Sequence, residues 1–311
     1  VKIARSIGLW ILALFITLLA AHYQRTTGPT YPLDGTAKLG GWTYAISLLR
    51  THDSDADQPV LLDIGDTTVT GVIRWKRYKF DEPWHLAPLD RKVLTPVRIA
   101  ELSGEGHSIF SNRGFATGEE RSVLLGWLPK QPPAGKLEYM VQIRRNNEAI
   151  TVPTTGNAAI TRFKGHVPKR ILIPHVLCMF TGLLFGIRTL ISAVLKEPIR
   201  RKALTSLVLL TIGGFLLGPF VQKYAFNAFW TGWPFGEDLT DNKTAVMVLS
   251  WAWAWWESHK QFGRRARIAA VAAAVIMMGV YLVPHSMKGS ELDYKKLAEQ
   301  QQIQQPANQL K

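Results

Sequence analysis

Along the chain the rhythm of apolar positions changes twice. Residues 6–21 form an almost unbroken apolar run, residues 25 to about 170 mix apolar and polar positions over short distances, and most of 171–284 is again dominated by Leu, Ile, Val, Ala, Phe and Trp. Long unbroken runs are what helices need to cross about 30 Å of hydrocarbon. The pattern predicts about five transmembrane helices, at 6–21, 171–195, 203–222, 244–259 and 267–284. The first run, preceded by Lys2 and Arg5, fits a signal peptide or an uncleaved anchor. Leu19 and Ala21 make a poor small-x-small cleavage site, which favours the anchor.

Between the first and second runs the pattern is that of short strands. Turn signals (DSDADQP, SGEGHS, ATGEE and QPPAG) separate segments expected as strands at 42–49, 60–64, 68–80, 94–101, 108–110, 121–127, 137–145 and 148–152. Trp75, within TVTGVIRWKRYKF, is expected as the core tryptophan of a middle strand. The expected organisation is an N-terminal anchor at 1–24, an all-β sandwich at 25–168, a four-helix membrane bundle at 169–285 with an aromatic external loop at 223–243, and a polar tail at 286–311. The Gln-rich tail reads as a short surface helix at 290–302 followed by disorder.

The segment LLGWLPKQPPAGKLEYMVQI resembles the Leu-Pro-turn-Tyr-x-Val pattern ahead of strand F in fibronectin type III domains. Leu128, Tyr139, Val141 and Ile143 stand at the matching places. The resemblance covers about 20 residues and implies an Ig-like sandwich, a scaffold that carries no function of its own.

A net charge of +14 would point to nucleic acid in a soluble protein, but here the placement of the charge decides otherwise. Lys2 and Arg5, then Lys196, Arg200, Arg201 and Lys202, then Lys260, Arg264, Arg265 and Arg267 flank apolar runs. Such clusters mark the cytoplasmic side of a membrane. The expected location is a bacterial cytoplasmic membrane, with the N-terminus inside and the β-domain and C-terminus outside. Arg162, Lys164, Lys169 and Arg170 oppose this orientation, yet they end a long exported domain, where the bias acts weakly. The expected partners are the lipid bilayer and other membrane or exported proteins, with no nucleic acid. The single cysteine, Cys178, lies in an apolar run, so the β-domain must stand on its core without a disulfide.

In this topology His22, His175 and His285 fall near one membrane face. The tripeptides Ile173-Pro174-His175 and Val283-Pro284-His285 give two helices the same local arrangement. A pair of facing imidazoles suits haem b, copper or zinc. Cys178, Met179 and Met287 add soft ligands suited to Cu(I). The bland alternative is interfacial histidines near water, beside Met and Cys as ordinary apolar fillers.

The loop YAFNAFWTGWPFGEDLTDNKT, with Trp230 and Trp233, then Glu237, Asp238 and Asp241, looks distantly like the Trp-rich loop of haem-handling proteins in cytochrome c assembly. It lacks that family's Trp-x-Trp-Asp core. The resemblance implies a resting place for a flat apolar cofactor. The alternatives are an aromatic belt with Asp241 as a helix N-cap, or a cation held by Glu237, Asp238 and Asp241.

Arg188, inside the second span, is expected to snorkel or to find a buried partner such as Glu257. Trp251, Trp253, Trp255 and Trp256 read as a cytoplasmic aromatic belt. The strand stripe Arg74, Lys76, Arg77 and Lys79 reads as a solvated face. The β-segment contains no nucleophile-base pattern, metal spacing or phosphate loop. The leading expectation is a non-catalytic subunit or assembly factor of a redox or cytochrome system, binding haem or metal externally. The alternative is an interaction protein whose β-domain recruits an exported partner. Solute transport is disfavoured by the scarcity of polar residues along the spans.

Overall fold

The computed structural model describes residues 2–104, 118–260, 263–283 and 291–300. The strand expected at 108–110, and Pro284, His285 and Met287, lie outside the described residues. Two compact units emerge. Residues 1–29 and 166–290 form a helical unit, and residues 30–165 with 291–311 form a β-unit. Residues 291–300 therefore group with the strands, and the short helix expected at 290–302 is present at 294–300.

The β-unit contains β1 (Leu33–Leu39), β2 (Trp42–Leu48), β3 (Thr51–Asp53), β4 (Gln58–Leu62), β5 (Val69–Arg77), β6 (His85–Leu94), β7 (Arg121–Leu128), β8 (Lys136–Arg145), β9 (Glu148–Val152) and β10 (Ala159–Lys164). Strands β1 and β2 form a hairpin closed by Gly40 and Gly41. Both glycines have positive φ, as a two-residue hairpin turn of this kind requires. The other strands form one sheet in the order β3-β10-β8-β5-β6-β7-β4, with β9 also on β8.

The sheet turns a corner along β6, whose residues up to Leu89 pair with β5 and whose residues from Asp90 pair with β7. Gly126 makes the corner possible, because a Cβ there would stand 2.5 Å from the Pro88 carbonyl oxygen and 2.7 Å from Ile73. Alternating positions of the strands then meet in one core that includes Leu39, Ile46, Leu62, Ile73, Leu124, Leu128, Tyr139, Val141, Ile143 and Phe163.

Two expectations are corrected here. Residues 94–101 are mostly helix, not strand: α2 (Pro96–Leu102) starts with the Thr95 side chain accepting the Arg98 N–H and with Pro96 in its first turn, an N-cap signature in the sequence. Trp75 is only partly buried, stacking on His85 at 4.5 Å, and Tyr139 fills the core instead. The cations of the basic stripe stay partly exposed and are paired. Lys76 bonds Glu138, Arg77 bonds Glu82, Lys79 bonds Glu291, and Arg74 and Lys76 lie over Trp84.

The helical unit contains α1 (Lys2–Thr27), α3 (Lys169–Val194), α4 (Arg200–Leu210), a π-helical turn at Thr211–Leu217, α5 (Gly218–Phe226), α6 (Leu239–Lys260) and α7 (Arg264–Leu282). Among the described residues, four helical stretches are long and apolar enough to cross a membrane: Ile3–Thr27, Lys169–Val194, Arg200–Phe226 and Arg264–Leu282. α3 packs against α1, α4 and α7, while α6 packs against α4 and α7.

Small residues set the spacing. Ala266, Ala269, Ala270, Ala273 and Ala274 of α7 are buried, and a Cβ on Gly186 would lie within 3 Å of Met277 and Trp251. Close backbone approach of this kind is how helices associate in lipid. Trp251 is therefore a core residue rather than part of a belt, whereas Trp253 and Trp256 remain exposed.

Candidate functional site

The ends of the helices sort into two groups. At one end, Lys243 Nζ donates to the Val283 carbonyl at 2.7 Å and Gln24 Nε2 to that of Tyr281 at 3.3 Å, which joins the start of α6 and the end of α1 to the end of α7. The other end is basic, and there Arg267 Nε donates to the Ala193 carbonyl at 2.9 Å.

His175 lies on the first group's side, in the second turn of α3, and is half-buried. Its Nδ1 stands 2.9 Å from the carbonyl oxygen of Gly213 in the π-helical turn. A carbonyl can only accept, so Nδ1 carries the proton and the lone pair of the neutral ring is on Nε2. Ligating histidines use the same arrangement, a backbone carbonyl fixing the tautomer while the other nitrogen stays basic.

Two glycines let α3 and α6 close on this turn. A Cβ on Gly213 would stand 2.9 Å from Met179 Sδ and 3.1 Å from Cys178 Cβ, and one on Gly214 would stand 2.6 Å from Thr244. Single π-turns of this kind recur at functional sites. Tyr281 Oη donates to the Met179 carbonyl at 2.6 Å, tying α7 to the same turn of α3.

Two residues beyond Gly213, Phe215 stacks on Trp230 of the loop, with ring centroids 5.5 Å apart and planes 17° from parallel. The start of α6 is hydrogen-bonded to the loop. Asp241 Oδ2 accepts the N–H groups of Thr231 and Gly232 at 2.7 and 3.0 Å, and Asn242 Oδ1 accepts that of Trp233 at 2.7 Å. Asp238 Oδ1 accepts the Thr240 N–H at 2.7 Å and its Oδ2 accepts the Thr231 hydroxyl at 3.1 Å. Trp230 Nε1 donates to the Trp233 carbonyl at 3.2 Å. The loop tip then carries Trp233 and Phe235, which are 78% and 83% exposed.

The structure thus brings His175, Cys178, Met179 and Trp230 to one π-helical turn, while His22 is exposed at the end of α1. His285 and Met287 lie outside the described residues. Among the described residues no group of three His, Cys, Asp or Glu side chains is placed to hold a metal ion. Asp238 and Asp241 fasten the loop, and Asp238 rather than Asp241 caps α6. Sequence reasoning missed Gly213, Phe215 and Tyr281. The adjacent glycines in TIGGFLL were the available signal of close backbone approach.

Arg188 sits toward the basic end and does not snorkel. It is 3% exposed, donates from Nη1 to Ser192 Oγ and from Nη2 to Glu197 Oε2 at 3.3 Å, and lies 5.7 Å from the Trp10 ring. Its partner is Glu197, not Glu257, and Glu197 also binds Arg5 at 3.3 Å. No known protein family, curated protein or solved structure matches this chain.

Proposed function

We propose that the chain is a five-span protein of a bacterial cytoplasmic membrane that serves a redox or cytochrome system as a non-catalytic subunit or assembly factor. It holds haem or a metal ion through His175 at its external end. One observation carries the reading: the imidazole of His175 is held by the Gly213 carbonyl through Nδ1, which leaves the ring's lone pair on Nε2, beside a glycine-rich π-turn and a hydrogen-bonded aromatic loop.

A parity argument supports the fifth span. Glu291 and Tyr294 bond to the β-unit, so the chain leaves that unit after residue 165 and returns to the same side at 291. Such a return takes an even number of crossings. The helices α3, α4–α5 and α7 supply three, and α6 supplies the fourth. At 22 residues and 1.5 Å per residue, α6 is about 33 Å long, enough to cross. The basic end, with Arg5, Lys196, Arg200, Arg201, Arg264 and Arg267, is the cytoplasmic one.

The Ig-like reading of the β-unit is supported by its strand order. β10-β8-β5-β6 matches the G-F-C-C′ order of such sandwiches, and the second half of β6 with β7 and β4 matches D-E-B.

Absorption spectra and elemental analysis of detergent-purified protein test the function. The wild type is expected to carry a Soret band or near-stoichiometric metal, and His175→Ala is expected to lose it with the melting temperature nearly unchanged. A wild-type protein isolated from metal- and haem-replete cells with neither group overturns the reading.

A second reading, a β-unit that recruits an exported partner, is favoured by Trp42, Leu86, Val93 and Trp127, large apolar side chains exposed on strands.

A further inference from the structure

Residues 291–294 pack into a polar cleft of the β-unit. Its floor is Tyr78, and the ammonium groups of Lys79 and Lys136 lie 5.2 and 5.4 Å from that ring. The Glu291 carboxylate bridges the two cations, with Oε1 2.6 Å from Lys136 Nζ and Oε2 2.8 Å from Lys79 Nζ. Lys136 is only 8% exposed, so without a carboxylate it would be left as a buried, unpaired charge.

Three residues on, Tyr294 is buried and reads the backbone. Its hydroxyl accepts the Lys136 N–H at 3.0 Å and stands 3.1 Å from the Lys136 carbonyl and 3.0 Å from Gln131 Oε1, either of which can take its proton. Gly135 leaves room for that hydroxyl, since a Cβ there would stand 2.9 Å from it. Arg77 lies 5.6 Å from the Tyr294 ring, and the Leu292 N–H donates to the Ala134 carbonyl at 3.1 Å. The cleft that residues 291–294 fill is thus lined for a carboxylate, a backbone contact and a phenol at fixed spacing.

We propose that this cleft is a peptide-recognition site for an exported partner segment that carries a carboxylate three residues ahead of a tyrosine, and that residues 291–294 occupy it in cis as a tethered competitor. The chemistry favours such a segment over a small anion, because the phenol contacts and the Ala134 carbonyl would otherwise go unused. Lys79, largely exposed, offers an ion pair that exchanges readily, while the buried Lys136 sets the requirement for negative charge. A tethered segment competes at an effective concentration on the order of millimolar, so an outside segment binds the intact protein weakly.

The probe is a fluorescent synthetic peptide of residues 288–300, added to full-length protein in detergent. Glu291→Lys with Tyr294→Ala releases the tail without shortening the chain. This double variant is expected to bind the peptide at least tenfold more tightly than the wild type. Adding Lys136→Met is expected to remove that gain, and a peptide lacking the tyrosine hydroxyl is expected to bind several-fold more weakly. Circular dichroism melts confirm that each variant is folded. Equal affinity of a folded double variant and the wild type, or a gain that survives Lys136→Met, overturns the proposal.

Discussion

Tyr139→Ala is expected to destabilise the β-unit by about 4 kcal/mol, the usual cost of emptying a large aromatic site. Tyr139 is fully buried where β8 is flanked by β5 and β10, and its hydroxyl donates to the Leu49 carbonyl at 2.7 Å. The same carbonyl accepts Gln58 Nε2 at 3.3 Å, and Gln58 Oε1 in turn accepts the Thr161 hydroxyl at 2.5 Å. Burial pushes the Tyr139 phenol far above its ordinary range, so it stays neutral and donating at any physiological pH. Tyr139→Phe keeps the ring and leaves Gln58 on the carbonyl, so its cost is expected at about 1 kcal/mol. Near-UV circular dichroism during thermal melting separates the two. A Tyr139→Ala variant that melts with the wild type would remove this residue from the centre of the core.

The second large effect is expected at Glu197. Glu197→Ala strands Arg188, which is buried with its Nε unpartnered among the described residues, and frees Arg5 of α1 from the α3–α4 turn. Leaving a buried charge unpaired costs about 3 kcal/mol or more, and the partial exposure of Glu197 trims this to about 2. Replacing both partners with apolar groups, Arg188→Met with Glu197→Leu, is expected to recover most of the loss, because the desolvation cost goes with the charges. Fluorescence melts in detergent check the pair. Equal loss in the single and double variants would show that the ion pair is not what holds the turn.

Acid acts differently on the tail. Burial raises the Glu291 carboxyl, but the hydrogen bonds from Lys136 and Lys79 outweigh it and hold the group below the ordinary glutamate range. The stability it contributes is therefore present above that range and lost as pH falls through the lowered value. Lys136 is held low by burial and by Arg162, with the Glu291 carboxylate opposing both.

The apolar runs made the membrane helices legible, because lipid demands long uninterrupted apolar segments. The strands with clear alternation, β2, β5, β8 and β9, were equally readable. β1, whose first four residues are all exposed, and β6, which changes partner midway at the corner of the sheet, were not. His175 could be picked out from its Pro-His setting. Its fixed tautomer could not, because the carbonyl that fixes it belongs to Gly213, 38 residues away. The contacts of the tail, though not its short helix, escaped the sequence for a related reason. Its Gln-rich end hides the Glu-Leu-Asp-Tyr segment, whose partners Lys79 and Lys136 are distant in sequence.

The arrangement rests on residues 291–300 returning to the side of the membrane that holds the β-unit. Single cysteines at Lys130, Lys196, Phe235 and Gln300, in a Cys178→Ser background, report this through an impermeant fluorescent maleimide. Labelling of positions 130, 235 and 300 in intact spheroplasts, with 196 labelled only after permeabilisation, is the expected result. Protection of 235 or 300 under conditions that label 130 would contradict the five-span account.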